Sequence, residues 1–161
     1  MSTIFYILPE LLLSFSIMFL LIAGVFLKRA FKIVNLLTIL TLIFSVVLVI
    51  NQHGKEAIIF SDSYIIDQLS IFMKVLVLIF SFLVLFSSRE YLKITKIDKI
   101  EYPIIMLGAI LGVIIMISSY DLIIFYLGLE LQSLCLYILA AFKKDDESST
   151  EAGLKYFVLS A

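Results

Sequence analysis

The amino-acid sequence predicts an all-α protein, a polytopic bundle of transmembrane helices. Of its 161 residues, 63% are hydrophobic, whereas a soluble domain is usually about 45–50% apolar. A water-soluble chain of this length could not bury so much apolar surface, so lipid is the expected solvent. Two further observations agree: the apolar residues fall into long runs, and the basic residues collect between alternate runs.

Five apolar runs are long enough to cross a bilayer, which takes about 20 helical residues. They predict five full helices and the start of a sixth near Thr150, which would span only about 18 Å up to Ala161. The first run lacks the basic start of a signal peptide and is too long for one. We expect a single membrane domain over residues 1–161. The five predicted helices lie at about 4–27, 33–50, 69–87, 102–119 and 122–142.

The basic residues predict an orientation. The loops on one side of the membrane hold nine of them: Lys28, Arg29, Lys32, Arg89, Lys93, Lys96, Lys99, Lys143 and Lys144. The opposite loops hold only Lys55. By the positive-inside rule, the nine-residue side faces the cytoplasm or matrix, and the N-terminus faces out, toward an intermembrane space if the membrane is mitochondrial.

A short segment between the second and third helices predicts a small β-hairpin. Residues 57–60 and Tyr64–Ile66 are rich in isoleucine and aromatic side chains and flank a polar turn at 61–63. The hairpin would lie on the outer face, near 57–66. An irregular loop is the alternative that the sequence leaves open.

Acidic and hydroxyl residues mark the starts of three helices. Asp67 and Asp121 precede the third and fifth helices, and a side-chain oxygen at that position accepts from exposed backbone N–H groups. Ser148 with Glu151 three residues later fits a capping box for the sixth helix.

Two glycines in the fourth helix predict close packing against another helix. Gly108 and Gly112 are four residues apart, a spacing that lets helix backbones approach. In an apolar helix this spacing is common by chance, so it indicates packing and no particular function.

Glu130 is the strongest candidate for a functional residue. It lies eight residues after Leu122, about 12 Å into the fifth helix, where a charge costs about 2.5–3.5 kcal/mol on the insertion scale. Tyr126, Ser133 and Tyr137 lie on the same helical stripe. This placement favours a proton-relay or ion-path carboxylate. A structural hydrogen bond by a neutral Glu130 is the alternative.

Four further titratable residues have predicted positions. Lys155 lies about one and a half turns inside the sixth helix, and is either an interfacial side chain or a buried base that exchanges a proton. Lys74 and Glu10, near the outer ends of the third and first helices, are expected to reach the interface. His53 in the outer loop is expected to be solvated.

The sequence lacks the residues that would hold a redox centre or a nucleotide. It contains one Cys and one His, so it can supply neither a Cys-based metal site nor a pair of His ligands. It contains no glycine-rich nucleotide loop. We expect no cofactor, metal or nucleic acid on this chain, whose chemistry would rest on titratable groups in a membrane.

Several segments of the sequence resemble mitochondrial NADH dehydrogenase subunit 2, an antiporter-like membrane subunit of respiratory complex I. The residues from 126 to 134, Tyr-Leu-Gly-Leu-Glu-Leu-Gln-Ser-Leu, carry most of this resemblance. The segment around Lys155, from 149 to 157, is also specific, and the rest matches mainly in helix spacing. The matching segments are 8–10, 66–70, 119–122, 126–134 and 149–157.

The resemblance implies an all-helical fold of two inverted repeats with discontinuous helices, in the membrane arm of complex I. It implies proton translocation driven by quinone reduction elsewhere in the complex. Glu130 matches the family's coupling glutamate, and Lys155 matches a lysine at the start of the sixth helix. FMN, iron–sulfur clusters and ubiquinone would belong to other subunits. The location implied is the mitochondrial inner membrane, with a bacterial inner membrane as the alternative.

The sequence departs from this family in length, since family members continue for many more helices. The gene is split or shortened, or the sequence is a fragment. Expected partners are other membrane-arm subunits, a second polypeptide that supplies the later helices, and lipid. The leading hypothesis is a non-redox, proton-translocating subunit of NADH:ubiquinone oxidoreductase, or part of one, not catalytic alone. A structural subunit without its own proton path and a cation/proton antiporter subunit are the alternatives.

Overall fold

Helices and one two-stranded sheet form the fold of the computed structural model, which describes residues 3–26, 30–95, 97 and 99–160. The predicted Lys28, Arg29, Lys96 and Ala161 lie outside the described residues. A 3-10 turn at Thr3–Tyr6 precedes the first helix. The elements that follow are α1 Leu8–Phe26, α2 Ala30–Ile50, β1 Ala57–Ile59, β2 Tyr64–Ile66, α3 Gln68–Ile94, α4 Glu101–Ile117, α5 Leu122–Ala140 and α6 Glu147–Ser160.

Four of these helices are long and apolar enough to cross a membrane: α1, α2, α3 and α5. The fourth predicted span forms α4, whose 17 residues are at the short end of the spanning range. The 14 residues of α6 reach only about 21 Å. The predicted fold class is confirmed, with α4 and α5 slightly shorter than predicted.

The helix boundaries differ from the prediction most at α1, α2 and α3. α2 begins at Ala30, three residues before the predicted start, so that Lys32 lies in the helix. α1 begins at Leu8, and Pro9 lies in its first turn, where a missing backbone N–H is tolerated. α3 continues to Ile94, past the predicted end at 87. Arg89 and Lys93 therefore lie in the helix, where Lys93 interacts favourably with the negative end of the helix dipole.

The predicted hairpin is present, and it pairs with the turn between α4 and α5. β1 and β2 are antiparallel, with Ile58 opposite Ile65. The Ile65 N–H donates to the Ser118 carbonyl at 2.8 Å, and the Tyr120 N–H donates to the Ser63 carbonyl at 3.0 Å. The hairpin is thereby joined to the segment that leads into α5.

The helices run back and forth between two ends of the bundle. The hairpin end carries the sheet and the starts of α1, α3 and α5. At the opposite end, here called the basic end, Gly24 packs against Ile100 and the rings of Tyr102 and Phe142 are 5.7 Å apart. The basic residues described at this end are Lys32, Arg89, Lys93, Lys99, Lys143 and Lys144.

The apolar core lies among α1 to α4 and the hairpin. Leu13, Leu42, Leu78 and Leu107 from the four helices are all fully buried, and Ile66 of β2 closes the hairpin end. In α5 and α6, the buried residues within the described chain are Gly128 and Gly153 alone. α5 and α6 therefore border the core and do not form part of it.

Glycines bring α4 and α5 into backbone contact. A Cβ added to Gly112 would lie 2.7 Å from the Gly128 carbonyl oxygen and from the Gln132 nitrogen, and one added to Gly108 would lie 2.9 Å from Cys135 Sγ. The close approach that the glycine spacing predicts is confirmed. It also defines which face of α5 meets the bundle.

Both predicted aspartate caps are present. Asp67 accepts from the Ser70 N–H at 2.7 Å while the Ser70 hydroxyl accepts from the Asp67 N–H at 3.0 Å, a reciprocal capping box at the start of α3. Asp121 accepts from the Ile123 N–H at 3.3 Å at the start of α5. Local sequence therefore determines where both helices begin.

Candidate functional site

Glu130 lies on the face of α5 that points away from α4. Gly128 and Gln132 contact Gly112 of α4, and two helical residues turn through about 200°. Glu130, two residues from each of them, is therefore nearly opposite α4, and it is half-buried. Within the described residues Glu130 forms no ion pair. Its carboxylate faces the side of α5 that the α1–α4 bundle leaves uncovered.

The predicted stripe of polar residues lies along this open face, and α6 covers one end of it. Tyr137 forms a hydrogen bond with the Ser160 hydroxyl, and its ring packs edge-on against those of Tyr156 and Phe157 on α6. At the other end, Tyr126 is 59% exposed. The stripe is thus closed at Tyr137 and open at Tyr126 and Glu130.

Ser133, in the middle of the stripe, bonds to its own helix. Its hydroxyl donates to the Glu130 backbone carbonyl at 3.0 Å. It therefore contributes no hydrogen bond to the Glu130 carboxylate. The roles assigned to Tyr126, Ser133 and Tyr137 stay predictions.

Lys155 lies deeper in α6 than predicted, because α6 begins at Glu147 and not near Thr150. Eight residues separate Glu147 from Lys155, which places Lys155 about 12 Å from the helix start. Its Nζ lies 2.6 Å from Glu151 Oε1, and the Lys155 side chain is 68% exposed. Lys155 therefore pairs within α6, and Glu130 is not its partner.

The start of α6 corrects the predicted capping box of Ser148 and Glu151. Asp146 accepts from the Ser148 N–H at 3.1 Å, and Lys143 Nζ lies 3.0 Å from Asp146 Oδ2. Hydrogen bonds from Lys143 and the Ser148 N–H hold the pKa of Asp146 below its usual value. Asp146 directly precedes α6, accepts from Ser148 and binds Lys143, and it therefore takes the capping position. Glu151 is not part of the cap and pairs with Lys155.

A buried ionic cluster occupies the hairpin end, where Lys74 and Glu10 were predicted to reach the interface. That prediction is wrong, since Lys74 is 1% exposed and Glu10 is 5% exposed. Lys74 Nζ donates to Glu10 Oε1 at 2.6 Å and to the Tyr64 hydroxyl at 2.9 Å. The Tyr64 hydroxyl donates to the same Glu10 oxygen at 2.5 Å. We call Glu10, Tyr64 and Lys74 the triad.

The helical spacing contains a signal for the two charged members of the triad. Lys74 lies three residues after the buried Ile71 and four before the buried Leu78, so it falls on the core stripe of α3. Glu10 lies three residues before the buried Leu13. Opposite charges on two core stripes indicate a buried pair, because an isolated buried charge is too costly to retain.

Tyr64 completes the triad from the hairpin and has no comparable signal in the sequence. Burial, and then the negative charge of Glu10, raise the pKa of Tyr64 well above its usual value. Tyr64 therefore stays protonated and donates to Glu10.

Comparison with known proteins gives similarities that agree with this architecture. A family model described as "NADH:quinone oxidoreductase/Mrp antiporter, TM" matches residues 119–161, the segment that carries Glu130 and Lys155. NADH-quinone oxidoreductase subunit N of Pelagibacter ubique is 50% identical over 100% of this chain and 34% of its own length. Subunit N of Paramagnetospirillum magneticum is 44% identical over 96% of this chain and 32% of its own length.

The solved structures include a chain of the same fold. It belongs to a respiratory complex I from Thermus thermophilus, with a TM-score of 0.78 and 25% identity over 94% of this chain and 32% of that chain. The chain thus spans about a third of the length of the relatives it matches. The relatives named here are bacterial, so the specifically mitochondrial form of the resemblance is not supported. This chain is similar, over nearly its whole length, to about a third of a bacterial NADH-quinone oxidoreductase subunit N.

Proposed function

We propose that this chain is part of a proton-translocating membrane subunit of an NADH:quinone oxidoreductase. The single observation that carries the proposal is the position of Glu130, a half-buried carboxylate about 12 Å from the nearer end of a spanning helix. A carboxylate at that depth is costly and typically marks an ion or proton pathway. The similarity of residues 119–161 to the antiporter-like family supports the same role.

In this proposal Glu130 acts as a charge switch for a cation on a helix outside this sequence. When Glu130 is ionised it stabilises a protonated lysine beside it, and when that interaction weakens the lysine releases its proton. The open face of α5 leaves room for such a helix, while α6 occupies only the Tyr137 end of the stripe. The partners are therefore other membrane-arm subunits, the remaining helices of this subunit, and lipid.

Lys155 would pass protons at the basic end. Lys155 is about 12 Å from the start of α6. Glu130 is ten residues, or about 15 Å, from the end of α5, so the two residues lie at similar depths from the basic end. Within the described residues the Lys155–Glu151 pair lies on the uncovered surface of α6, so a neighbouring element can offer Lys155 another partner.

The chain would contribute no redox chemistry of its own. Flavin, iron–sulfur clusters and quinone would be held by other subunits, and quinone reduction there would drive the charge changes at Glu130. The bacterial relatives favour a bacterial inner membrane over a mitochondrial one. The described basic residues at the basic end favour that end facing the cytoplasm, with the N-terminus facing out.

The test is Glu130→Gln in the assembled complex, measured as protons transported per electron in sealed vesicles. We expect the ratio to fall, because an amide cannot change charge. Glu90→Gln is the matched control, since Glu90 is an exposed carboxylate near the basic end of α3. An unchanged ratio in Glu130→Gln, with normal assembly, would refute the charge switch and leave a structural role for the chain.

A second candidate function is a cation/proton antiporter subunit, which the description of the matching family model also names. The two candidates differ in their partners. Purification of the tagged protein from native membranes separates them, since copurifying flavin and iron–sulfur proteins support the oxidoreductase. Their absence, together with sodium- or potassium-dependent proton exchange, would support the antiporter.

A further inference from the structure

We propose that the triad of Glu10, Tyr64 and Lys74 is a second buried proton-binding site, at the hairpin end of the bundle, with bound water as part of the site. Proton binding at the triad can be tested by itself. Its part in proton transport rests on the proposed function above.

The hydrogen bonds of the triad are unevenly distributed over its atoms. Glu10 Oε1 accepts from both Lys74 and Tyr64, whereas Glu10 Oε2 is buried and has no partner within the described residues. An ammonium carries three donors, and Lys74 directs them at two partners. The triad therefore keeps an open carboxylate oxygen and an open donor in its interior.

Ser118 adds a third open group beside the triad. Its hydroxyl is fully buried and makes no hydrogen bond of good geometry within the described residues, although it lies within reach of the Tyr64 hydroxyl. An unsatisfied buried polar group costs about 1–3 kcal/mol, and buried sites with several such groups are those that hold ordered water. Water is the ligand that fits, because it can donate to Glu10 Oε2 and either accept from or donate to the Ser118 hydroxyl.

The charge of the triad allows it to bind and release a proton. Glu10 and Lys74 cancel when both are ionised, and a proton that moves from the ammonium to the carboxylate leaves an amine and a carboxylic acid with the same net charge. Neither state places an uncompensated charge in the core, which is the costly arrangement. A proton that reaches Glu10 Oε2 through water adds one positive charge to the site while Lys74 keeps its own proton, and the site returns to neutrality when Lys74 releases that proton.

No other ionisable side chain of the described residues bonds to these groups. Glu10 comes from α1, Tyr64 from β2 and Lys74 from α3, while the neutral Ser118 lies in the turn directly after α4. Titration of the site therefore depends on the triad itself.

The triad is connected to the helix that carries Glu130. Tyr64 lies in the strand that pairs with the turn before α5, and Asp121 caps α5 directly after that turn. Glu130 is about 12 Å further along the same helix. This pairing provides a backbone route by which a change in the bonds of Tyr64 can reach the start of α5.

Infrared difference spectroscopy of the assembled complex tests proton binding. The probe is the C=O band of a protonated carboxyl group, followed from pH 9 to pH 4, with spectra of Glu10→Gln subtracted from those of the unaltered protein. We expect a band that Glu10→Gln lacks and Glu90→Gln retains. Identical spectra for the unaltered protein and Glu10→Gln over the whole range would overturn the proposal.

Two further variants separate a proton site from a purely structural ion pair. In Lys74→Met we expect the band to appear at higher pH, because the ammonium that stabilises the ionised carboxylate is gone. Tyr64→Phe removes one hydrogen bond to the carboxylate and should give a smaller change in the same direction. If Lys74→Met does not assemble, Tyr64→Phe is the deciding variant. A carboxyl band with an unchanged pH midpoint in Tyr64→Phe would then overturn the proposal.

The water is tested in the same spectra. We expect an O–H stretching band that shifts in water labelled with oxygen-18 and disappears in Ser118→Ala. A Ser118→Ala spectrum equal to that of the unaltered protein would refute the hydrated form of the site. These results are independent of the Glu130→Gln ratio: a titrating Glu10 with an unchanged proton ratio would retain the triad and reject the proposed function.

Discussion

The α1–α4 bundle and the α5–α6 pair place their ionisable residues in opposite ways. In the bundle, Glu10 and Lys74 face each other inside the core, 2.6 Å apart. In the α5–α6 pair, Glu130 is half-buried on an open face and Lys155 is exposed beside Glu151. The first arrangement satisfies its charges within the described chain, and the second leaves Glu130 to be matched by other elements. A carboxylate in a membrane helix can thus belong to a completed site or to half of one, and the packing of its face distinguishes them.

The largest effect is expected at the buried pair. Lys74→Met should lower the free energy of unfolding by about 3–5 kcal/mol, because it leaves the Glu10 carboxylate buried without its cation. Chemical denaturation in detergent micelles measures this change. The double variant Glu10→Gln with Lys74→Met should recover most of it, and failure to recover would mean that Lys74 stabilises by packing and not by charge.

The next effect is expected where the two regions meet. Gly112→Ala should destabilise the protein by about 1–3 kcal/mol, since the new Cβ would lie 2.7 Å from backbone atoms of α5. Gly24→Ala is the matched control, because its Cβ would meet only the flexible end of Ile100 at 3.0 Å. The same denaturation experiment measures both, and equal effects would contradict the backbone contact between α4 and α5.

A smaller effect is expected at the start of α3, next to the triad. Asp67→Ala should cost about 1 kcal/mol, the usual contribution of an N-cap. Asp121→Ala should cost less, because its bond to Ile123 is 3.3 Å against 2.7 Å at Asp67. Chemical denaturation measures the free energy of unfolding of both variants. A larger loss in Asp121→Ala than in Asp67→Ala would contradict the prediction.

The smallest effect is expected at the start of α6 and depends on pH. Since the pKa of Asp146 is lowered by Lys143 and by the Ser148 N–H, the stabilisation of this turn is present above the usual value of 3.8. It is lost as pH falls below that value. Hydrogen exchange of the Ser148 backbone N–H, measured relative to that of unstructured amides, should therefore be faster in acid. Asp146→Asn should remove this pH dependence. A pH dependence retained in Asp146→Asn would exclude Asp146 as its source.

Local rules explain which parts of the fold could be predicted. Apolar run lengths located the helices, and the caps at Asp67 and Asp121 depend on residues within three positions of each other. The sequence predicts the cap of α6 at Ser148, two residues after Asp146, because Ser and Asp can both accept a hydrogen bond at the N-cap position. Only the contact with Lys143 distinguishes them.

The depth of Glu130 in its helix was determined by the sequence alone, because helical rise converts residue number into distance. Short patterns indicated the hairpin segment and close packing at Gly112, but the structure decided between a hairpin and an irregular loop and showed that Gly112 meets α5. The direction that Glu130 faces, and the burial of Glu10 with Lys74, were decided by the tertiary structure. Glu10 and Lys74 are 64 residues apart, and Glu10 and Tyr64 are 54 apart. The core stripes of α1 and α3 indicate that both charges are buried. No local pattern encodes the contact of all three residues, because it exists only once three separate elements have packed together.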